Sequence, residues 1–155
     1  IGLSIQMPGD DSSILPLHSD TWGSECSPFE VVLWIPLVDC NATKSMFLLP
    51  PTADVKWRQR LWEFESQGTE ALFSAVRPEL KWIDINFGSV LLFTPTLMHG
   101  NRINEEISTR WSFNIRFKGL FTPYANKRLG EFFVPISMRP ASRIALNFQV
   151  PDRSS

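Results

Sequence analysis

Apolar and polar residues alternate with a period of two in several short runs of this chain, the repeat of strands with two unlike faces. Ile1, Leu3, Ile5 and Met7 stand opposite Gly2, Ser4 and Gln6, and a Pro8-Gly9 turn closes this first run. Ile14 to Asp20 predicts a short second strand in an irregular or edge position, because Pro16 cannot donate to a ladder. Phe29 to Val38 is rich in β-branched and aromatic residues, and Ser45 to Leu49 forms the next strand before Pro50-Pro51 stops it. The period then changes. Thr52 or Asp54 can cap a helix, and Val55 to Glu65 begins an outer helical excursion that runs to about Arg77 and ends at Pro78. Leu61, Trp62 and Phe64, with Trp57, read as the apolar side of that helix.

Short strand-like runs resume with Trp82 to Phe87, which alternates, and continue through Val90 to Phe93, Leu97 to His99 and Thr109 to Phe117. Short strands at this spacing, separated by turn residues, predict a mainly β sandwich or barrel. No βαβ rhythm or glycine-rich phosphate loop is present, which excludes a dinucleotide fold. After Gly119 the pattern weakens into a C-terminal extension holding Tyr124, Phe132, Phe133 and Ile136, with a further strand expected over Ile144 to Val150.

The last strong strand carries Arg110, Ser112, Asn114 and Arg116 on one face and Trp111, Phe113, Ile115 and Phe117 on the other. A solvated outer face would explain such polarity, and so would the lining of a barrel around an anionic ligand. The chain has two histidines. His18 is separated from Asp20 by one residue, so on a strand both side chains leave from the same face. His99 ends an apolar run just before the strand that carries Arg110. Two imidazoles and one carboxylate on a β scaffold are the ligand set of a non-haem Fe(II) facial triad, which leaves positions open on the metal.

Composition narrows the partners. With 155 residues, 43% of them hydrophobic and 20% charged, the chain is long enough for one folded domain with a core. A formal net charge of −1 and the lack of a basic block argue against a nucleic-acid footprint. Cys26 and Cys40 form neither a CxxC pair nor a disulfide framework, so two buried thiols in a reducing, cytoplasmic setting are expected. No apolar run approaches the ~18 residues of a transmembrane helix. The first residues, IGLSIQMPGDD, lack the basic n-region of a signal peptide.

Together, His18-Ser19-Asp20, the LWIPLVD stretch from Leu33 to Asp39, GSVLLF before His99, the Asn104 loop and Arg110-Trp111-Ser112 resemble the Fe(II)- and 2-oxoglutarate-dependent oxygenases. The resemblance covers roughly Ile1 to Gly119 and points to the phytanoyl-CoA-hydroxylase-like branch, within it to oxygenases associated with carbohydrate-biosynthesis clusters. It implies a double-stranded β-helix, a cupin-like jelly roll, as a single domain with its core at about 1–119 and an extension at 120–155. Its metal ligands would be His18, Asp20 and His99. Arg110 would pair with the far carboxylate of 2-oxoglutarate and Ser112 would be its hydrogen-bonding neighbour. Full members have an N-terminal portion that buttresses the major sheet, which is absent from or unseen in this stretch. The implied reaction consumes O₂ and 2-oxoglutarate, releases succinate and CO₂, and hydroxylates a small polar metabolite such as a sugar-pathway intermediate, or effects a related desaturation or ring closure. In halogenating relatives a small residue replaces the carboxylate, so Asp20 favours hydroxylation.

Two other readings keep the barrel. A metal-dependent cupin enzyme that does not use 2-oxoglutarate has no need of Arg110-x-Ser112, and a non-catalytic sugar-binding jelly roll has no need of the metal. The bidentate fork of Arg110 matches a planar carboxylate in a way a lysine does not. Arg116 shares its face, with a structural role as the equal alternative. Trp34 reads as core, Trp22 as a loop residue with a substrate-contacting role open to it, and Asn104 as the side chain that fixes its turn.

Overall fold

Seven strands form two antiparallel sheets in the computed structural model, which describes residues 1–149. The larger sheet has the order β1-β7-β2-β5, from β1 (Gly2–Gln6), β2 (Glu30–Pro36), β5 (Leu91–Phe93) and β7 (Arg110–Lys118). The smaller has the order β4-β3-β6, from β3 (Phe47–Leu48), β4 (Lys81–Trp82) and β6 (His99–Gly100). β7 is the longest strand and pairs along both edges, with Ser4 opposite Ser112 on one side and Trp34 opposite Asn114 on the other. Val32, Trp34, Cys40, Met46 and Phe93 pack into one apolar core cluster, which Leu48 joins from the smaller sheet and Ile83 from just beyond β4.

β7 faces the opposite way from a common amphipathic strand. Arg110 and Ser112 are buried, while Trp111 and Phe117 are exposed. The polar face therefore lines the interior, as the barrel-lining alternative predicted. The outer face of the larger sheet is apolar across all four strands, with Leu3, Ile5, Val31, Leu92 and Trp111 open to solvent.

A second core lies on the far side of the smaller sheet, under the helical excursion. Leu17, Phe47, Leu49 and Met98 meet Ala53 and Trp57 of α1 (Pro51–Arg58) and Leu72 and Val76 of α2 (Thr69–Val76). α1 starts with proline at its first position, where no backbone N–H is required, and no side chain caps it. Neither Thr52 nor Asp54 is thus the cap the sequence predicted. Asp54 is instead buried and accepts the Met98 N–H at 2.9 Å, which ties α1 to the residue before His99. The single helix expected over Val55 to Glu65 is split into α1 and a 3-10 turn at Leu61–Phe64, and Trp62 points into solvent rather than into the core.

Three strand expectations are corrected. Trp82 to Phe87 is not a strand: it contributes only Trp82 to β4 and one bridge at Ile85. Ile14 to Asp20 forms no strand; it touches the smaller sheet through one bridge, at His18, and through Asn101, whose N–H donates to Leu15 O at 2.8 Å. Gly100 permits that crossing, because a Cβ there would lie 2.7 Å from Leu15 O and 2.9 Å from Pro16 O. Ile144 to Val150 is also not a strand: Pro140–Leu146 is helix α3, and Val150 lies outside the described residues. Cys26 and Cys40 are buried and free, as expected. No helix among the described residues is long and apolar enough to cross a membrane.

Candidate metal centre

The two histidines meet because their backbones bridge. His18 N–H donates to His99 O at 2.9 Å and His99 N–H donates to His18 O at 2.8 Å, which brings the rings to 4.4 Å between centroids. Each ring is then turned by a carbonyl two residues back. His18 Nδ1 lies 2.7 Å from Pro16 O, and His99 Nδ1 lies 2.8 Å from Leu97 O. A carbonyl can only accept, so the proton sits on Nδ1 and each neutral ring offers the lone pair of Nε2. That is the tautomer a metal-binding imidazole needs, with its other nitrogen held by an oxygen acceptor.

Asp20 completes the group. Its Oδ1 is 3.6 Å from His18 Nε2 and its Oδ2 is 3.9 Å from His99 Nε2. One donor atom from each of the three residues lies within 4.8 Å of the others. Neighbouring donors on an octahedral ion with bonds of about 2.0–2.2 Å are roughly 3 Å apart, so the group is close to a size that would hold one ion.

Burial and charge polarise the three. Burial, then the neighbouring His18, pushes His99 down to about 4. Burial also opposes a charge on His18, but Asp20 and the Pro16 carbonyl together outweigh it and raise the imidazole above its ordinary value. Burial works against the Asp20 carboxylate as well, yet His18, His99 and Arg116 together hold it well below the usual carboxylate range. Asp20 is therefore ionised at neutral pH and His99 is neutral.

A cavity of about 90 Å³ joins this group to the polar face of β7, and Arg110, Asn114 and Arg116 line it together with His18, Asp20 and His99. Arg110 is 3% exposed and has no carboxylate partner among the described residues. Its Nη1 donates to Ser45 O and its Nη2 to Ser4 Oγ, both at a long 3.3 Å, and its Nε has no partner. Burial pushes its guanidinium down from its ordinary value. Ser112 is fully buried on the same strand face with its Oγ unsatisfied, although it does not line the cavity. An unpaired buried cation beside unsatisfied hydroxyls is a strong field for an anion.

Ser4 and Glu30 escaped the sequence reading. Ser4 contacts Arg110, and its place on the polar side of β1 was the available signal. Arg116 donates to Asp20 Oδ2 at 2.8 Å, and its other nitrogen lies 3.7 Å from Glu30 on β2. Period two could put Arg116 on the correct face but could not say which acids it would meet. Trp34 is buried core, as expected, and also forms a wall of the cavity. Asn104 fixes its turn as predicted, donating to Ser108 O at 2.8 Å and accepting from Glu106 N–H at 3.0 Å. Trp22 lines a separate apolar cleft with Leu61, Phe64 and Leu72.

No family model and no curated protein sequence matches the chain. Solved structures do share its fold. The non-heme monooxygenase ThoJ, in a nickel complex, is similar with a TM-score of 0.58 at 17% identity, over 94% of this chain and 58% of that one. SnoK, a non-heme alpha-ketoglutarate-dependent carbocyclase from nogalamycin biosynthesis, gives a TM-score of 0.58 at 16% identity, over 79% and 49%. HygX from Streptomyces hygroscopicus, with nickel and 2-oxoglutarate bound, gives a TM-score of 0.54 at 18% identity, over 81% and 56%. This chain thus spans 49% to 58% of the length of these proteins, and over that length it shares the fold of non-heme oxygenases.

Proposed function

We propose that this chain is the double-stranded β-helix core of an Fe(II)- and 2-oxoglutarate-dependent oxygenase, with His18, Asp20 and His99 as metal ligands and Arg110 as the anchor of the co-substrate. The carrying observation is Arg110: a buried guanidinium without an acid partner among the described residues, in the same small cavity as the Nε2 atoms of two imidazoles and an ionised carboxylate. A cupin enzyme that does not use 2-oxoglutarate gives no reason to bury an unpaired cation, which carries a desolvation penalty of several kcal/mol.

Charge balance supports the same reading. Asp20 and Glu30 offset Arg110 and Arg116, so a dication and a dicarboxylate can enter together without leaving net charge in the interior. Arg110 would grip the far carboxylate through its fork, with Ser4 and Ser112 supplying hydroxyls nearby. His18, Asp20 and His99 would hold one face of the metal and leave the other open. Val32, Trp34, Met46 and Phe93 form apolar walls that keep water from the reacting atoms. When bound, iron would supply the O₂-dependent oxidative decarboxylation of 2-oxoglutarate to succinate and CO₂, with one oxygen atom entering succinate and the other oxidising a substrate C–H bond.

The substrate we favour is a small polar metabolite such as a sugar-pathway intermediate, with hydroxylation as the reaction. HygX, which shares this fold, was also solved with hygromycin B bound. The decisive experiment measures succinate from 2-oxoglutarate with Fe(II) and O₂, beside His99→Ala and Arg110→Ala. Succinate from the wild-type chain, lost in both variants, is the expected result. No succinate from iron-loaded wild-type protein, or equal amounts from Arg110→Ala, would sink the reading.

A further inference from the structure

We propose that Arg116 is a positioning residue for the metal-binding carboxylate, holding Asp20 in its ligating rotamer while Glu30 holds Arg116 from behind; this rests on the reading of Asp20 as a ligand. The three side chains form a line through the interior. Ser27 N–H donates to Glu30 Oε1 at 2.7 Å and fixes the buried glutamate at the start of β2. Glu30 Oε2 faces Arg116 Nη1 at 3.7 Å, and neither atom has a hydrogen-bond partner. Arg116 Nη2 then donates to Asp20 Oδ2 at 2.8 Å.

The geometry separates this residue from Arg110. Among the described residues Arg110 has no acid beside it, and it faces the cavity with a spare donor, which suits an incoming anion. Arg116 already spends one end of its fork on Asp20 and turns the other toward Glu30. Asp20 sits on a segment with almost no ladder support, since the residues before it form a single β-bridge to β6, at His18. A carboxylate on such a loop has no strand to set its rotamer. The guanidinium, projecting from the central strand β7, supplies that constraint. It also satisfies Oδ2 and leaves the Oδ1 lone pairs, which lie toward His18, without a donor from Arg116.

Positioning and plain electrostatics predict opposite signs here. Removing a cation next to a dication site should tighten metal binding if charge alone matters. Removing the group that orients a ligand should weaken it, typically by about 10–100-fold. The experiment is titration of chelator-treated protein with Co(II), followed by its visible absorption, for wild type, Arg116→Met and Arg116→Lys, with thermal unfolding of each metal-free form. We expect Arg116→Met to bind Co(II) at least about 10-fold more weakly and with an altered spectrum. Arg116→Lys keeps the charge but loses the fork, and should also weaken Co(II) and shift the spectrum. Should Arg116→Met not fold, Arg116→Lys decides. Unchanged or tighter Co(II) binding in the variants overturns the proposal, as does loss of 2-oxoglutarate affinity with Co(II) binding intact. Wild-type protein that takes up no Co(II) would overturn the ligand assignment itself, and this inference with it.

Discussion

His18 and His99 exchange both of their backbone hydrogen bonds, so each fixes the other's place before any side chain is considered. Their convergence is thus a property of the main chain. The carbonyls of Pro16 and Leu97 then aim the rings, and side-chain chemistry enters only at Nε2.

Gly100 sits beside this bridge and should be intolerant of a methyl group. A Cβ at that position would meet Leu15 O at 2.7 Å and the Phe47 ring at 2.8 Å. Gly100→Ala is expected to destabilise the fold by about 1–3 kcal/mol, because the neighbours are largely backbone and cannot yield. It should also weaken Co(II) binding by moving His18 away from His99. A urea midpoint equal to wild type would refute the first expectation, and an unchanged Co(II) titration the second.

Arg110 sets stability against function. Arg110→Met removes a buried cation that lacks an acid partner and should make the metal-free chain more stable by about 1–4 kcal/mol. The same change should weaken 2-oxoglutarate binding by about 30-fold or more, as truncating a buried charge partner costs about 2–5 kcal/mol. Co(II) binding should survive. Denaturant unfolding and calorimetry on one preparation check all three, and a destabilised Arg110→Met protein would show that the guanidinium has a structural partner.

The metal-free protein should lose stability on acidification. The His99 imidazole, held down to about 4 by burial and by His18, stays neutral in the fold while an unfolded histidine titrates near ~6.5. From about 6.5 down to 4 the unfolded chain therefore binds more protons, and His99 destabilises the fold progressively. His18, raised above its ordinary value, works the other way: its contribution is complete below ~6.5 and fades as pH rises through its folded value. Asp20, lowered, contributes above the usual carboxylate range and loses that contribution as pH falls. Comparing the fall in thermal midpoint from pH 6.5 to 4.5 in wild type and His99→Asn tests the sign, and the variant should fall less. Equal losses would count against it.

The outer face of the larger sheet should make this chain associate with itself. Leu92 is 62% exposed and Trp111 41%, within a continuous apolar surface. A Leu92→Thr, Trp111→Thr variant should sediment as smaller species at equal concentration, with its Co(II) affinity within about twofold of wild type, since neither residue lines the cavity. Parallel loss of Co(II) binding would mean that the two faces of the sheet are coupled.

The sequence exposed some of these arrangements better than others. The polar face of β7 was legible because alternation survives in a long strand, and an arginine two positions from a serine is visible without a structure. His18, Asp20 and His99 could be singled out by type and spacing, although only folding shows that their donor atoms fall within 4.8 Å. Ile14 to Asp20 misled, because its apolar residues and the buried Leu17 and Ser19 reflect a loop pressed against β6 through one bridge, without a ladder. The Glu30–Arg116–Asp20 line was out of reach, since it joins three segments whose neighbourhood is decided by the β2–β7 register, in which Val32 faces Arg116. The helix break after Arg58 was missed for a local reason: Leu61 and Phe64 pack on the core from a 3-10 turn, which keeps them apolar without continuing the helix.

In most sheets the apolar residues hold the strands in register, since a slip of one position would export the core. β7 inverts that dependence. Slipped by one residue, it would drive Trp111 and Phe113 into the cavity and leave Arg110 and Arg116 stranded on an apolar exterior, so misalignment is opposed chiefly by its ionic groups. The residues proposed to do the chemistry thereby also act as the alignment marks of the central strand. A chain relieved of them could gain stability and still lose the certainty of which partner each residue faces.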